Sequence, residues 1–132
     1  MGYTHYWKSV GLVIDEASFV DFINDVKQIS ATAQEAGIGI VEDYTPDEII
    51  INGIAENGHE TFVFSRTPEP FEFCKTNGKP YDMVVVAILI HAKKCFPSLK
   101  IKSDGNWADL EGGRLLYESV FNIEPKEEEV FA

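Results

Sequence analysis

Apolar residues recur along the chain with two different periods, and the switches between them divide it into elements. Residues 3–7, Tyr3-Thr4-His5-Tyr6-Trp7, set large aromatics against Thr4 and His5 without a breaker, which predicts a first strand. Phe19, Phe22, Ile23, Val26, Ile29 and Ala33 then fall at steps of three and four, with Asp21, Asp25, Gln28 and Glu35 mostly opposite, the pattern of an amphipathic helix. Asp15 is a good N-cap for it, Glu16 suits the positive end of the helix dipole, and Gly37 is a fitting stop. Residues 38–41 are a short apolar stretch broken by Gly39, and residues 42–47, with Pro46, read as a turn or loop. Residues 49–54 and 61–65 are expected strands, the second with Phe62 and Phe64 on one face. Asn57-Gly58 between them signals a hairpin, because that pair supplies the positive φ angles of a tight two-residue turn. After the rigid linker Arg66-Thr67-Pro68-Glu69-Pro70, residues 71–74 resume an extended chain and complete an antiparallel meander.

Residues 83–96 are the most apolar part of the chain. Val84-Val85-Val86 would equally suit a strand, but the run continues through Ala92, Lys93 and Lys94 and exceeds an ordinary strand in length, so it predicts a core helix. Pro80 fits its first turn, where a missing N–H costs nothing. Leu99 and Ile101 alternate with Lys100 and Lys102 in a half-buried strand that turns at Ser103-Asp104-Gly105. Trp107, Leu110, Leu115, Leu116, Val120 and Phe121 predict a short last helix. It is expected to begin after Gly112-Gly113, since each glycine costs a helix about 1 kcal/mol. Residues 124–132 are expected as a solvated acidic tail, from which Val130 and Phe131 could dock back. The expected fold is α+β: an antiparallel or mixed sheet of about five or six strands, two main helices on one face and a short C-terminal helix, in one domain over residues 1–123.

Composition agrees with a single packed core, since 132 residues with 45% hydrophobic content need no metal or disulfide staple. The formal charge of -11 repels a phosphodiester duplex over most of the surface, so no duplex nucleic acid is expected as partner. It suits solubility, or an inhibitor that displays carboxylates at phosphate-like spacing. No secretory pattern opens the chain, and its longest apolar run, 83–90, is far too short to cross a bilayer, so a cytoplasmic protein without membrane contact is expected.

Charge is unevenly placed. Residues 75–102 hold Lys75, Lys79, Lys93, Lys94, Lys100 and Lys102 against Asp82 alone, a local charge of 6 - 1 = +5, so the other residues carry -11 - 5 = -16. A basic island on an acidic protein is an electrostatic reason to expect a small anionic ligand there, unless these lysines simply point apart into water. The turn Lys75-Thr76-Asn77-Gly78-Lys79-Pro80 precedes a helix start, where free N–H groups bind anions, but it lacks the Walker spacing and Pro80 removes a donor. It reads equally well as an ordinary turn.

Cys74 beside Lys75 is a candidate nucleophile, with His5, His59 or His91 as base; the plainer reading is a small buried residue. The histidines show no spacing that places two ligands on one helical face, and the two cysteines form no zinc motif, so neither metal nor cofactor is expected. The aromatics Tyr3, Tyr6, Trp7, Phe71, Phe73 and Tyr81 are expected mostly in the core, with a ligand ring stacking on any that reach a cleft.

Tyr3-Thr4-His5-Tyr6-Trp7, Glu60-Thr61-Phe62, Phe73-Cys74-Lys75-Thr76, Lys79-Pro80-Tyr81-Asp82 and Ser103-Asp104-Gly105, in that order, resemble a family of small uncharacterised proteins encoded by bacteria and their phages. The resemblance spans about the whole domain. It implies a common fold and a shared site but carries no assigned activity. The family pattern has Ala-Arg where this chain has Asn77-Gly78, so an arginine of that pattern has no counterpart here.

Many of these polar residues sit at strand ends or helix starts, where a rigid scaffold presents chemistry. The first expectation is therefore a non-enzymatic domain that binds a small anionic ligand, phosphorylated or nucleotide-like, through Thr4, His5, Lys75, Thr76, Lys79, Tyr81, Asp82, Ser103 and Asp104, with Tyr6, Trp7 or Tyr81 covering an attached ring. A phage or host interaction or inhibitor module with an acidic surface is the second, and a Cys- or His-dependent hydrolase the third. Enzyme and binding domain are both open at this point.

Overall fold

Residues 3–132 are described in a computed structural model of the chain. Strands β1 (Thr4–Lys8), β2 (Ile40–Tyr44), β3 (Glu48–Gly53), β4 (Phe62–Ser65), β5 (Phe71–Lys75) and β6 (Lys100–Ser103) alternate with helices α1 (Glu16–Glu35), α2 (Asp82–Cys95), α3 (Glu111–Phe121) and α4 (Glu127–Val130). The fold is α+β and its pairings are antiparallel, as expected. The strands divide into two sheets, however, ordered β5-β1-β6 and β2-β3-β4. The meander is cut between β4 and β5, where Pro68 and Pro70 remove ladder donors and β5 pairs instead with the N-terminal strand.

Helix α1 follows its amphipathic pattern closely. The Asp15 carboxylate accepts from the Ser18 N–H at 3.0 Å and caps the first turn, and Gly37, at φ 94°, ends the helix in the left-handed region. Phe19, Phe22, Ile23, Val26, Ile29 and Ala33 are buried. Helix α2 is buried on nearly all sides from Val84 to Lys93. Phe22 joins the layers: its ring lies 5.4 Å from Phe64 of β4, 5.6 Å from His91 of α2 and 5.2 Å from Phe96. Trp7 of β1 packs on Phe62 and Phe64, at 5.2 and 6.4 Å, so the inward faces of the two sheets share one core. Each such side chain, fully buried, contributes about 1.5–3 kcal/mol.

Two local expectations between α1 and β4 are corrected. Asn57-Gly58 forms no two-residue turn: Gly58 has φ -94°, and residues 55–57 make a 3-10 turn whose place is fixed by Asn52, bonded to the backbone of His59 and to the Thr61 hydroxyl. The positive-φ Asn-Gly pair is Asn77-Gly78, at 56° and 66°, closed by the Lys79 N–H on the Thr76 carbonyl. Residues 42–44, expected in a loop, belong to β2, because Ile40 to Tyr44 pair in register with Gly53 to Ile49.

Helix α3 includes Gly112 and Gly113 rather than starting after them. A Cβ at Gly113 would lie 2.3 Å from Val86 Cγ1, and one at Gly112 2.8 Å from Met83, so the glycines allow α3 to lie directly against α2. The end of the chain is likewise no free tail. Val130 of α4 is 4% exposed, and Phe131 meets the Trp107 ring edge-on at 5.8 Å, since burying these two apolar groups outweighs hydrating the acidic segment that carries them. No helix among the described residues is long and apolar enough to cross a membrane.

Candidate functional site

The β5-β1-β6 sheet organises every expected site residue except those on the turn beyond it. As the central strand, β1 sets His5 opposite Cys74 on one side and Ser103 on the other. On the inward face His5, 1% exposed, contacts Ser103 Oγ through Nδ1 at 2.9 Å and Asp82 Oδ1 through Nε2 at 2.5 Å. Asp82, in the first turn of α2, also accepts the Thr76 hydroxyl. The Gly105 N–H donates to Ser103 Oγ at 3.2 Å. Donor and acceptor roles then follow along the chain of bonds: an Nε2–H donates to the carboxylate, which leaves Nδ1 to accept the Ser103 O–H. Four expected site residues, the buried His5 and Thr76 and the half-buried Asp82 and Ser103, thus form one polar network.

The remaining five are placed differently. Tyr81 is fully buried and donates to the Glu60 carbonyl, and Trp7 is buried too, so neither covers a ligand ring. Thr4 is buried and its carbonyl takes the Asp104 N–H. Asp104 accepts the Tyr6 hydroxyl at 2.9 Å, which raises the pKa of that phenol. Lys75 points outward from β5, and Lys79 lies on the turn. Asp82 is engaged by His5 and Thr76 rather than by Lys79, and neither Lys75 nor Lys79 forms a salt bridge among the described residues.

The turn offers no anion cradle at the donors traced here. The Lys75 N–H goes to the Glu60 carboxylate, that of Thr76 to the Tyr3 carbonyl, that of Lys79 to Thr76, and that of Asp82 to Lys79. The cavities under the C-terminal segment, beside His5 and Ile101, between α1 and Phe96, and at the β6 edge are not bordered by Lys75 or Lys79. Cys74 is no nucleophile either. It is 1% exposed, it donates to the Glu60 carbonyl at 3.5 Å, and burial, with the Glu60 charge, pushes its thiol up to about 12. A thiol so placed stays protonated at neutral pH, which argues against Cys74 as a nucleophile.

The outward face of the same sheet was not anticipated. Phe71 and Phe73, expected in the core, are 48% and 53% exposed. Strand parity and register set them in a grid: Phe73, Tyr6 and Lys102 form one row across β5, β1 and β6, and Phe71, Lys8 and Lys100 form the next, with Lys75 beside Thr4 above them. The aromatic rings touch, Tyr6 on Phe71 at 5.9 Å and Phe71 on Phe73 at 6.1 Å, and Lys8 Nζ lies 5.8 Å from the Phe71 centroid. No carboxylate side chain occupies any of these outward strand positions; past the strands, Asp104 accepts the Tyr6 hydroxyl, the Ala132 carbonyl accepts from Lys100, and Glu127 borders the cleft that Lys100 and Lys102 also line.

The period of two in Phe71-Glu72-Phe73-Cys74-Lys75 and in Lys100-Ile101-Lys102 was the available signal. It says which residues share a face, and Cys74 and Ile101 mark the other face as the inward one. A cleft of about 350 Å³ at the β6 edge is bordered by Lys100, Lys102, Ser103, Trp107 and Phe131 among others. Comparison of the chain with protein-family models, with curated proteins and with solved structures gives no match, and function is therefore argued from this geometry.

Proposed function

We propose that the protein binds an anionic ligand that carries a planar ring, nucleotide-like, on the outward face of the β5-β1-β6 sheet rather than at the Lys79-Pro80 turn. One observation carries the reading: the exposed Phe71 and Phe73 and the half-buried Tyr6 form a stripe beside lysines 8, 75, 100 and 102, with no carboxylate at the outward strand positions, on a chain of net charge -11. Like charges directly opposite each other in a ladder destabilise it, and Lys8 faces Lys100 in this way. A bound phosphate or carboxylate would relieve that repulsion, and the rings would take the ligand's π-face. Nucleoside monophosphates and sugar phosphates titrated into the labelled protein should shift the backbone amide resonances of Tyr6, Phe71, Phe73 and Lys102. Lys102→Ala should weaken the response several-fold while Lys79→Ala leaves it unchanged. Shifts centred on Lys79 and Asp82 would place the ligand at the turn, and no shift with any compound would remove the reading.

A second reading has its own observation, the bond chain Ser103–His5–Asp82. The serine would attack an ester carbonyl as its proton passes to His5 Nδ1, the proton would go to the departing alcohol, and water would release the acyl group. Asp82, engaged at Nε2, would hold the tautomer. A fluorophosphonate probe should then attach to Ser103 in the wild type and not in His5→Gln. Absence of label on the folded wild type would make the network purely structural.

A further inference from the structure

We infer that the ligand of the outward sheet face is a single-stranded nucleic acid, held by base stacking on Phe71, Phe73 and Tyr6 and by phosphate contacts along Lys8, Lys100 and Lys102; this rests on the reading above that the face binds a ring-bearing anion. The grid separates the two chemistries. Phe71 and Phe73 line the β5 side with Lys75 at its end, Lys100 and Lys102 line the β6 side, and β1 contributes Tyr6 and Lys8. A single strand has the same division, with unpaired bases along one edge and phosphates along the other, whereas a free nucleotide could occupy only one row.

Two adjoining rows provide more than one stacking position. Phe71 and Phe73 lie 6.1 Å apart on one strand, both about half exposed, and each can carry a base. Exposed aromatics on an open antiparallel sheet stack bases without regard to sequence, because every base presents a π-face. A duplex hides those faces and would bring its second strand against the acidic remainder of the protein, which carries the rest of the -11 charge. Single strands thus escape the exclusion that the overall charge imposes on duplexes. The attraction is local, since charges more than about 8 Å from the strand are screened at physiological salt.

An acidic peptide would also be drawn to the lysines but has no reason to need the rings. A second copy of this chain would bring two lysine-bearing faces of like charge together. The aromatic stripe therefore favours nucleic acid over either occupant.

The test is fluorescence anisotropy of end-labelled nine-residue oligo-U and oligo-dT with the full chain, between 50 and 300 mM KCl, with a hairpin duplex and UMP as competitors; the oligomer is within the roughly 4–16 nucleotides that a single-strand site takes up, and the salt range is one in which a few phosphate contacts are read. The oligomers should bind at least about ten-fold more tightly than UMP and the duplex should not compete. Phe71→Ala and Phe73→Ala should each weaken binding about five-fold or more, the equivalent of one lost base stack. Binding should fall with salt at a slope of about -2 in log units for three lysine contacts, and Lys102→Ala should reduce that slope by about 0.7. If UMP binds as well as the oligomers, the strand inference fails and the mononucleotide reading stands. If neither binds, both fail. Equal binding by wild type and the two phenylalanine variants, or competition by the duplex, would overturn the stacking site, and a labelled polyglutamate that binds as tightly as the oligomers would assign the face to an acidic protein instead.

Discussion

The inward and outward faces of the β5-β1-β6 sheet come from the same three strands, yet one closes its polar groups and the other leaves them open. Inward, His5, Ser103, Asp82 and Thr76 satisfy one another, and Trp7, Cys74 and Ile101 seal them with apolar surface. Outward, Tyr6 alone finds a side-chain partner, Asp104, while the lysines face one another and the phenylalanines face water. The inward polar groups are held together by the fold, because an unpaired buried group costs about 1–3 kcal/mol. The outward groups meet mainly one another and water, and the proposed ligand site rests on their grouping on one face.

That contrast can be broken most directly at adjoining residues of β1. His5→Ala should destabilise the protein by about 3 kcal/mol, since it opens a cavity and strips the Ser103 hydroxyl and the Asp82 carboxylate of a partner. Tyr6→Ala should cost under about 1 kcal/mol, as a surface change. Denaturant melts of the two variants check this, and equal losses would erase the distinction between the faces.

The inward face should also show itself in alkaline titration. The Cys74 thiol rises from an ordinary value of 9.0 to about 12, so the folded state keeps a proton that the unfolded chain has released. Its contribution is fully present below about pH 9 and is lost as pH climbs from there towards 12. The half-buried Tyr44 and the buried Tyr81 and Tyr117 shift in the same sense, so the cysteine part is read as the difference between wild type and Cys74→Ala. The same protection predicts that iodoacetamide at pH 8 modifies the exposed Cys95 before Cys74, as mass spectrometry would show. Rapid labelling of Cys74 in the folded protein would mean that the inward face is open.

The smallest change on stability sharpens the outward side. Lys100→Glu turns a like-charged pair with Lys8 into an opposite one and should stabilise the free protein by about 0.2–1 kcal/mol. The same substitution should weaken anion binding. Stability that falls together with binding would show that Lys100 serves the fold after all.

Much of the local structure was legible in the sequence. The three- and four-residue steps of Phe19 to Ala33, the Asp15 cap and the Gly37 stop define α1 because helix periodicity and capping depend only on neighbours within a few turns. The alternation Tyr3-Thr4-His5-Tyr6-Trp7 likewise gave β1, and the convergence of His5, Thr76, Asp82 and Ser103 was approached from the idea that strand ends and helix starts meet. Which strands pair was not legible. Three Asn-Gly pairs look alike in sequence, and only Asn77-Gly78 adopts positive φ throughout, because Asn52-Gly53 ends β3 and Asn52 draws the loop that holds Asn57-Gly58 into a 3-10 turn.

Tertiary structure decided the rest. It decided that Gly112 and Gly113 lie inside α3, where the close approach of Met83 and Val86 repays their poor helix propensity. It decided that Val130 and Phe131 dock, that six strands form two sheets, and that Phe71 and Phe73 stay exposed while Trp7 and Tyr81 are covered. A period of two assigns residues to a common face of a strand, but whether that face meets a core or water depends on which distant elements pack against it, and those contacts lie beyond any local pattern.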